Sequence, residues 1–281
     1  MSNNQLKTIV FLGLLSGLLL AAGWLIGGTT GITIGLGIAL VTNAGSYWFS
    51  DKIVLALYRA KPADEKEYKH IHQMVEELAA KARIPKPRIY IINSPQANAF
   101  ATGRNPEHAV VACTTGILQL LTKEELRGVL GHELSHITNR DILISSVAAG
   151  IAAVISYIAF VARWAAIFGG GRDRENNGLE LIVLAIVTPI IATLLQLAIS
   201  RSREYLADSS GAKLTGHPEH LATALEKISG SVHAHPLAAH ASTTATAHLF
   251  ISNPFRANAF LNLLSTHPPA QERVRRLRAM R

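Results

Sequence analysis

Charge is what this chain has least of. Asp, Glu, Lys and Arg supply 16% of its 281 residues while 49% are apolar, a balance that argues against an ordinary soluble globular protein. Cysteine is nearly absent as well. Cys113 stands alone, which excludes an internal disulfide and fits a reducing compartment. No internal repeat is visible. The net charge is +8, and that raises a nucleic-acid reading. No recognisable nucleic-acid-binding module accompanies it, and the basic residues gather beside the apolar runs, so no nucleic-acid partner is expected.

What is present is a set of long chargeless stretches. Thr8 to Ser50 carries no Asp, Glu, Lys or Arg over 43 residues, the length of two helices of about 20 residues each. Gly27, Gly28 and Gly31, with Thr29 and Thr30, read as the turn between them. A cleavable signal peptide is the rival reading, since Lys7 precedes an apolar core and Ala21-Ala22-Gly23 is small. A second apolar run follows at once, which a secreted domain does not need. Ile142–Ala162 and Leu181–Ser200 are further uncharged runs, separated by the polar, glycine-rich 169–178. They predict a second hairpin, although Arg163 and Pro189 leave open two buried core helices, or helices that dip only partly into lipid. Lys52, Arg59, Lys61, Lys66 and Lys69 follow the second run, and Arg201 and Arg203 follow the fourth. Lysine and arginine at span ends mark the cytoplasmic side. Arg172 and Arg174 in the loop at 169–178 run against that pattern and are outweighed by it. Both termini are therefore expected inside.

The chain thus divides into a membrane hairpin (1–50), a first soluble half (51–141), a second membrane hairpin (142–200) and a second soluble half (201–281). In the first half, Ile71, Met74, Val75, Leu78, Ala79 and Ala82 share one face of an amphipathic helix over 65–83, stopped by Pro85 and Pro87. Residues 88–93, 98–103 and 108–113 read as strands, with a turn at Gly103–Glu107. A helix begins near 123, where Thr122 and Glu125 form a capping box, and continues through Leu126, Val129, Leu130, Leu134 and Ile137.

That helix carries His132-Glu133-Leu134-Ser135-His136. Histidines at i and i+4 lie one turn apart on one face, so both imidazoles can reach one tetrahedral zinc at about 2.0–2.1 Å. Glu133 is turned by about 100° from His132. It is poorly directed for a ligand but able to serve as general base on the attacking water. A catalytic zinc needs a third protein ligand. The candidate is Glu204, which shares a helix face with Asp208 four residues on. One carboxylate can bind metal while the other accepts a ring N–H from a ligand histidine. A solvated helix with local Arg–Glu pairs is the plainer reading of that segment taken alone. An even number of crossings must separate the two halves of the site, and either two or none satisfies this.

HELSH (132–136) with Asp141 five residues on, SRSREYLAD (200–208), NAFATG (98–103) and HPPAQERVRRL (267–277) occur in family order, with one hairpin before them and one between. In these motifs, over essentially the whole chain, the sequence resembles the HtpX-type membrane metalloproteases, relatives of the CAAX prenyl proteases. The resemblance implies an α+β, gluzincin-like metalloprotease domain with four transmembrane helices in two hairpins. It implies one Zn2+ held by His132, His136 and Glu204, Glu133 as catalytic base, and Asp208 as partner of a ligand histidine. It further implies a multi-pass protein of the bacterial inner membrane with its site on the cytoplasmic side. Its partners would be the lipid bilayer and membrane-protein or unfolded polypeptide substrates, cut in quality control during stress.

Zinc proteases of this broad class hold substrate on an edge strand that often begins Asn-Ala, which makes Asn98 and Ala99 the expected backbone contacts; an ordinary edge strand is the alternative. His267 falls near the cleft by the same resemblance. Oxyanion stabilisation and a structural cap for a final helix (270–280) are equal readings of it. The Ser/Thr/Ala/His-rich stretch 229–248 reads as a surface loop rather than a metal store, and Cys113 as core. Arg273, Arg275, Arg276, Arg278 and Arg281 read as a lipid-facing or solvated tail. A catalytically silent zinc-binding membrane scaffold or sensor is the rival function. Such a protein would keep the ligands but could lose the base. Prenyl-protein processing is a further rival, and the absence of additional spans argues against it.

Overall fold

The computed structural model describes residues 3–147, 201–234, 249–251 and 268–280. The second expected hairpin beyond residue 147, most of the His-rich stretch and His267 lie outside the described residues.

The first chargeless run is helical over α1 (Asn3–Trp48), but it does not run straight. A straight helix would hold Ser16 and Asn43 about 40 Å apart, whereas Asn43 Nδ2 donates to Ser16 Oγ at 2.8 Å. The chain turns back at Gly28, whose φ of +57° suits a residue without a Cβ. The two arms then meet glycine to glycine: a Cβ on Gly23 or Gly31 would collide with the other's carbonyl. Among the described residues no single helix is long and apolar enough to cross a membrane. The bent pair Gly28–Gly45 and Ser50–Leu57, at 81°, meets the length and composition together. Its second member is α2 (Ser50–Leu57). There Asp51 accepts from Arg88 Nη2 at 2.6 Å, tying the hairpin to the strand that Arg88 begins.

A four-stranded sheet follows, in the order β1 (Lys61–Pro62), β2 (Arg88–Ile92), β4 (Val110–Thr114), β3 (Ala99–Thr102). β2 and β4 pair parallel, with Ile89 opposite Val111. β3 pairs antiparallel with β4, Ala99 opposite Cys113. Side chains alternate across the pleat. Ile89, Ile91, Ala99, Ala101, Val111 and Cys113 join the main core, while Ile92, Phe100 and Ala112 face the opposite way, towards Val54 and Leu249. The sheet is therefore covered on both sides, and β4 is buried at every residue. Cys113 is fully buried and burial pushes its thiol up to about 12, which makes it a core residue.

The main core is closed by helices. α3 (Lys69–Ala82) buries Ile71, Val75 and Leu78. A short α4 (Thr115–Leu120) leads into α5 (Lys123–Thr138), whose Thr122–Glu125 capping box is formed on both sides. α6 (Arg201–Thr215), α7 (Pro218–Ala234) and α8 (Ala270–Arg278) complete the set. The helix α7 corrects the reading of 229–248 as a loop from its start, because the chain stays helical to Ala234. Its apolar face, Leu221, Ala222, Leu225 and Ile228, is buried, and packing of that face outweighs the modest propensity of the Ser- and His-containing end.

The contact that positions the site is the crossing of α5 and α6. A Cβ on Gly211 would lie 2.8 Å from His132 N and 2.9 Å from His132 Cα and the Gly131 carbonyl carbon. These are backbone atoms that cannot swing away. Alanine is the better helix former by about 1 kcal/mol, but the overpacking cost of about 1–3 kcal/mol opposes it. Gly211→Ala is therefore expected to lower the melting temperature and to reduce bound metal per chain. Thermal unfolding and metal analysis of the purified variant measure both, and an unchanged metal content would contradict the account.

Candidate active site

On α5, His132 and His136 project from the same face, their rings edge to face with centroids 4.7 Å apart. The α5–α6 crossing brings Glu204 opposite them. His132 Nε2 lies 3.2 Å from His136 Nε2. Glu204 Oε1 is 3.5 Å from His136 Nε2 and Oε2 is 3.8 Å from His132 Nε2. Ligand atoms about 2.0–2.1 Å from a tetrahedral zinc are separated by about 3.4 Å along each edge. The three donors fit that triangle, and among the described residues they are the one His/Cys/Asp/Glu group that could hold a metal ion.

The far side of each ring supports the same use. His132 Nδ1 is 3.0 Å from Asp208 Oδ1 and His136 Nδ1 is 3.3 Å from Asp141 Oδ2. An N–H donated from each Nδ1 leaves both Nε2 lone pairs aimed at the shared point, the tautomer a metal requires. Asp208 is in turn gripped by Arg273, with Nε to Oδ2 at 2.9 Å and Nη2 to Oδ1 at 2.7 Å, while Nη1 donates to the Ile251 carbonyl at 2.8 Å. Burial acts to raise the Asp208 carboxyl, but Arg273 and His132 outweigh it and hold it at about 2. Arg273 is 1% exposed, so the expectation of a solvated or lipid-facing tail is corrected at this residue. The helical period carried the signal: Arg273 shares the buried face of α8 with Val274 and Leu277, whereas Arg275, Arg276 and Arg278 stay outside and pair with Glu272, Glu219 and Glu226.

Glu133 points to the sheet. Its Oε2 accepts from the Ala101 N–H at 2.9 Å. Burial, the largest influence, pushes its carboxyl up to about 7, with Glu204 adding to the rise and His136 opposing it. β3 is an edge strand among the described residues. The Asn98 carbonyl accepts from Thr114 N at 3.0 Å, so residues 98, 100 and 102 turn their main-chain groups to β4 while 99 and 101 turn theirs outward. Asn98 itself is 1% exposed, and its Oδ1 accepts from Ile251 N at 3.0 Å. The outward main-chain groups are those of Ala99 and Ala101, and Asn98 pins the 249–251 segment beside them. Ala101, Asp141 and Arg273 were not singled out as site residues from the sequence. Asp141 was legible as part of the motif, but Ala101 becomes visible only from the strand register. Arg203, expected as a basic marker at a span end, is 9% exposed and lines the pocket beside Glu204 and His136.

Residues 65–281 match Peptidase family M48. The chain belongs to that family. It is a metalloprotease, a hydrolase of peptide bonds. Among relatives of this M48 peptidase, a protease HtpX homolog of Syntrophobacter fumaroxidans is 52% identical over 99% of both chains. One of Pyrococcus furiosus is 51% identical over 97% of this chain and 94% of its own. Of solved structures, Ste24p of S. mikatae aligns with a TM-score of 0.54 and 17% identity, covering 97% of this chain and 65% of that one. That last likeness speaks for the fold alone.

The charges around His136 predict a pH dependence for metal uptake by this M48 peptidase. Burial acts to lower the ring's pKa, but Asp141, Glu204 and Glu133 outweigh it and raise it to about 9. In the metal-free protein at neutral pH the ring therefore holds a proton that a metal must displace. Affinity for the metal should rise about tenfold per pH unit from about pH 7 and level off above about pH 9. Chelator competition across that range measures it, and a flat profile contradicts the assignment.

Proposed function

We propose that this metalloprotease is a zinc-dependent endopeptidase of the cytoplasmic membrane. On this reading its site faces the cytoplasm and cuts exposed segments of damaged or misassembled membrane proteins. The observation that carries the chemistry is the convergence of His132, His136 and Glu204 at metal-ligand separations, with Glu133 beside them and free of the ligand triangle. Support for the membrane lies in α1, where Trp24, Ile34, Leu40, Val41 and Trp48 are each more than half exposed. An apolar surface of that extent calls for lipid or a partner. The lysines and arginines that follow α1 favour the cytoplasmic side. Quality control as the biological setting is what the resemblance to HtpX-type proteases implies.

A bound zinc would polarise the scissile carbonyl and acidify the attacking water. The chain's own residues do the rest. Ala99 offers its outward N–H and carbonyl, and Ala101 its carbonyl, to an extended peptide, which adds to β3 as a further strand; the Ala101 N–H is held by Glu133. Glu133, buried and near neutrality in its pKa, takes the proton from the attacking water and delivers it to the leaving amine. Asp208 and Asp141 hold the two rings in register, and Arg273 keeps Asp208 ionised. His267 remains a candidate for stabilising charge on the attacked carbonyl. The silent-scaffold alternative would not need a carboxylate placed beside the triangle, and Glu133 is placed there.

Casein hydrolysis by detergent-purified protein, stripped of metal and then zinc-loaded, tests the reading. Glu133→Gln should retain zinc and lose about 10²–10⁴-fold in rate. A folded, zinc-loaded wild type no faster than this variant, on casein or on an unfolded membrane protein, would turn the assignment to the scaffold. The location has its own test. Protein in inside-out vesicles should resist carbonate extraction and lose its soluble halves to added protease. Protection of both halves there would place the site on the other face.

A further inference from the structure

Two buried arginines flank the metal triangle, and they differ in one respect. Arg273, on the His132 side, spends its donors on Asp208 and the Ile251 carbonyl. Arg203, on α6 directly before Glu204, is nine-tenths buried, yet its Nε, Nη1 and Nη2 are all shielded from solvent without a hydrogen-bond partner. It lines the same pocket as Glu133, His136, Glu204 and Ser145. A guanidinium offers five N–H donors and no acceptor. The Asp141 and Glu204 charges act on it, but burying its donors without hydrogen-bond partners is costly, and a native structure that bears this cost calls for a reason. Arg203 lines the space a substrate must enter, so the missing hydrogen-bond partner is supplied by what enters.

We propose that Arg203 is a substrate-binding residue that donates to an acceptor oxygen of the bound peptide on the His136 side of the site. The acceptor is a carbonyl or carboxylate oxygen, the group a planar guanidinium fork matches best. An interior main-chain carbonyl and the free carboxylate of a chain end share that chemistry. The inference rests on the peptidase reading of this pocket and deepens it: part of the affinity for substrate comes from one fixed cation, independent of side-chain identity at the cut.

The test is peptide binding to full-length, zinc-loaded Glu133→Gln protein, which cannot turn substrate over, with and without Arg203→Gln. A fluorescent peptide is titrated in two forms, with a C-terminal amide and with a free acid, and anisotropy gives Kd. Zinc content and melting temperature are measured on each protein. Arg203→Gln is expected to bind peptide about 10- to 100-fold more weakly while keeping its zinc and a melting temperature equal to or above that of the parent. Weakening of both peptides identifies a main-chain carbonyl as the partner, and weakening of the acid form alone identifies a terminal carboxylate. An unchanged Kd in the folded, zinc-loaded variant overturns the proposal, as does a lower melting temperature with unchanged Kd, which marks a structural arginine. If Arg203→Gln does not fold, Arg203→Lys replaces it. Lysine keeps the charge and loses the fork, so several-fold weaker binding is expected and equal binding overturns the proposal. Failure of the Arg203-intact protein to bind either peptide, with no casein cleavage by wild type, would strike the peptidase reading itself, and this inference would fall with it.

Discussion

Everything at the centre of this molecule depends on two helices touching backbone to backbone. Gly131 and Gly211 leave no room for a side chain where α5 crosses α6. That closeness lets a short carboxylate at 204 reach imidazoles on a helix some 70 residues earlier in the chain. A wider crossing would leave Glu204 short of His132 and His136. The metal site is thus a property of the packing as much as of its ligands.

The second consequence is a core crowded with charge. His132, Glu133, Asp141, Arg203, Glu204, Asp208 and Arg273 are all buried. Isolated charges of this kind would not survive burial. Most are matched: Arg273 with Asp208, Asp208 with His132, Asp141 with His136. Such matching adds little to stability, but the loss of one member leaves another charge stranded, at a cost of about 3–5 kcal/mol. The network therefore fixes ring orientation strictly. Arg203 feels the Asp141 and Glu204 charges, yet its side-chain nitrogens have no hydrogen-bond partner.

Around this centre the fold supplies two further surfaces. The sheet ends on β3, whose outward main-chain groups and the Ala101–Glu133 contact place an edge strand directly beside the base. The glycine hairpin of α1 and the bent α2 present apolar side chains outward and are anchored to the sheet through Asp51 and Arg88.

Much of this was written in local pattern. Alternation and turn residues marked β2, β3 and β4, the capping box at Thr122 marked the start of α5, and the i, i+4 spacing put two histidines on one face, because these features depend on neighbours within one or two turns. β1, two residues long, and α4, six, leave too short a period to read. Arg203 and Arg273 looked like surface cations because residue type alone sets only a statistical expectation of exposure. That Glu204 stands within 3.5–3.8 Å of both histidines, that Asp208 and Asp141 divide the two rings between them, and that Ala101 meets Glu133 are decisions of the tertiary structure. They follow from where glycines let helices approach and from which way one edge strand turns its main chain. The sequence by itself determined the donors and the elements that carry them; only packing decided which donors meet, because distance between residues remote in the chain is set by close contact and not by spacing.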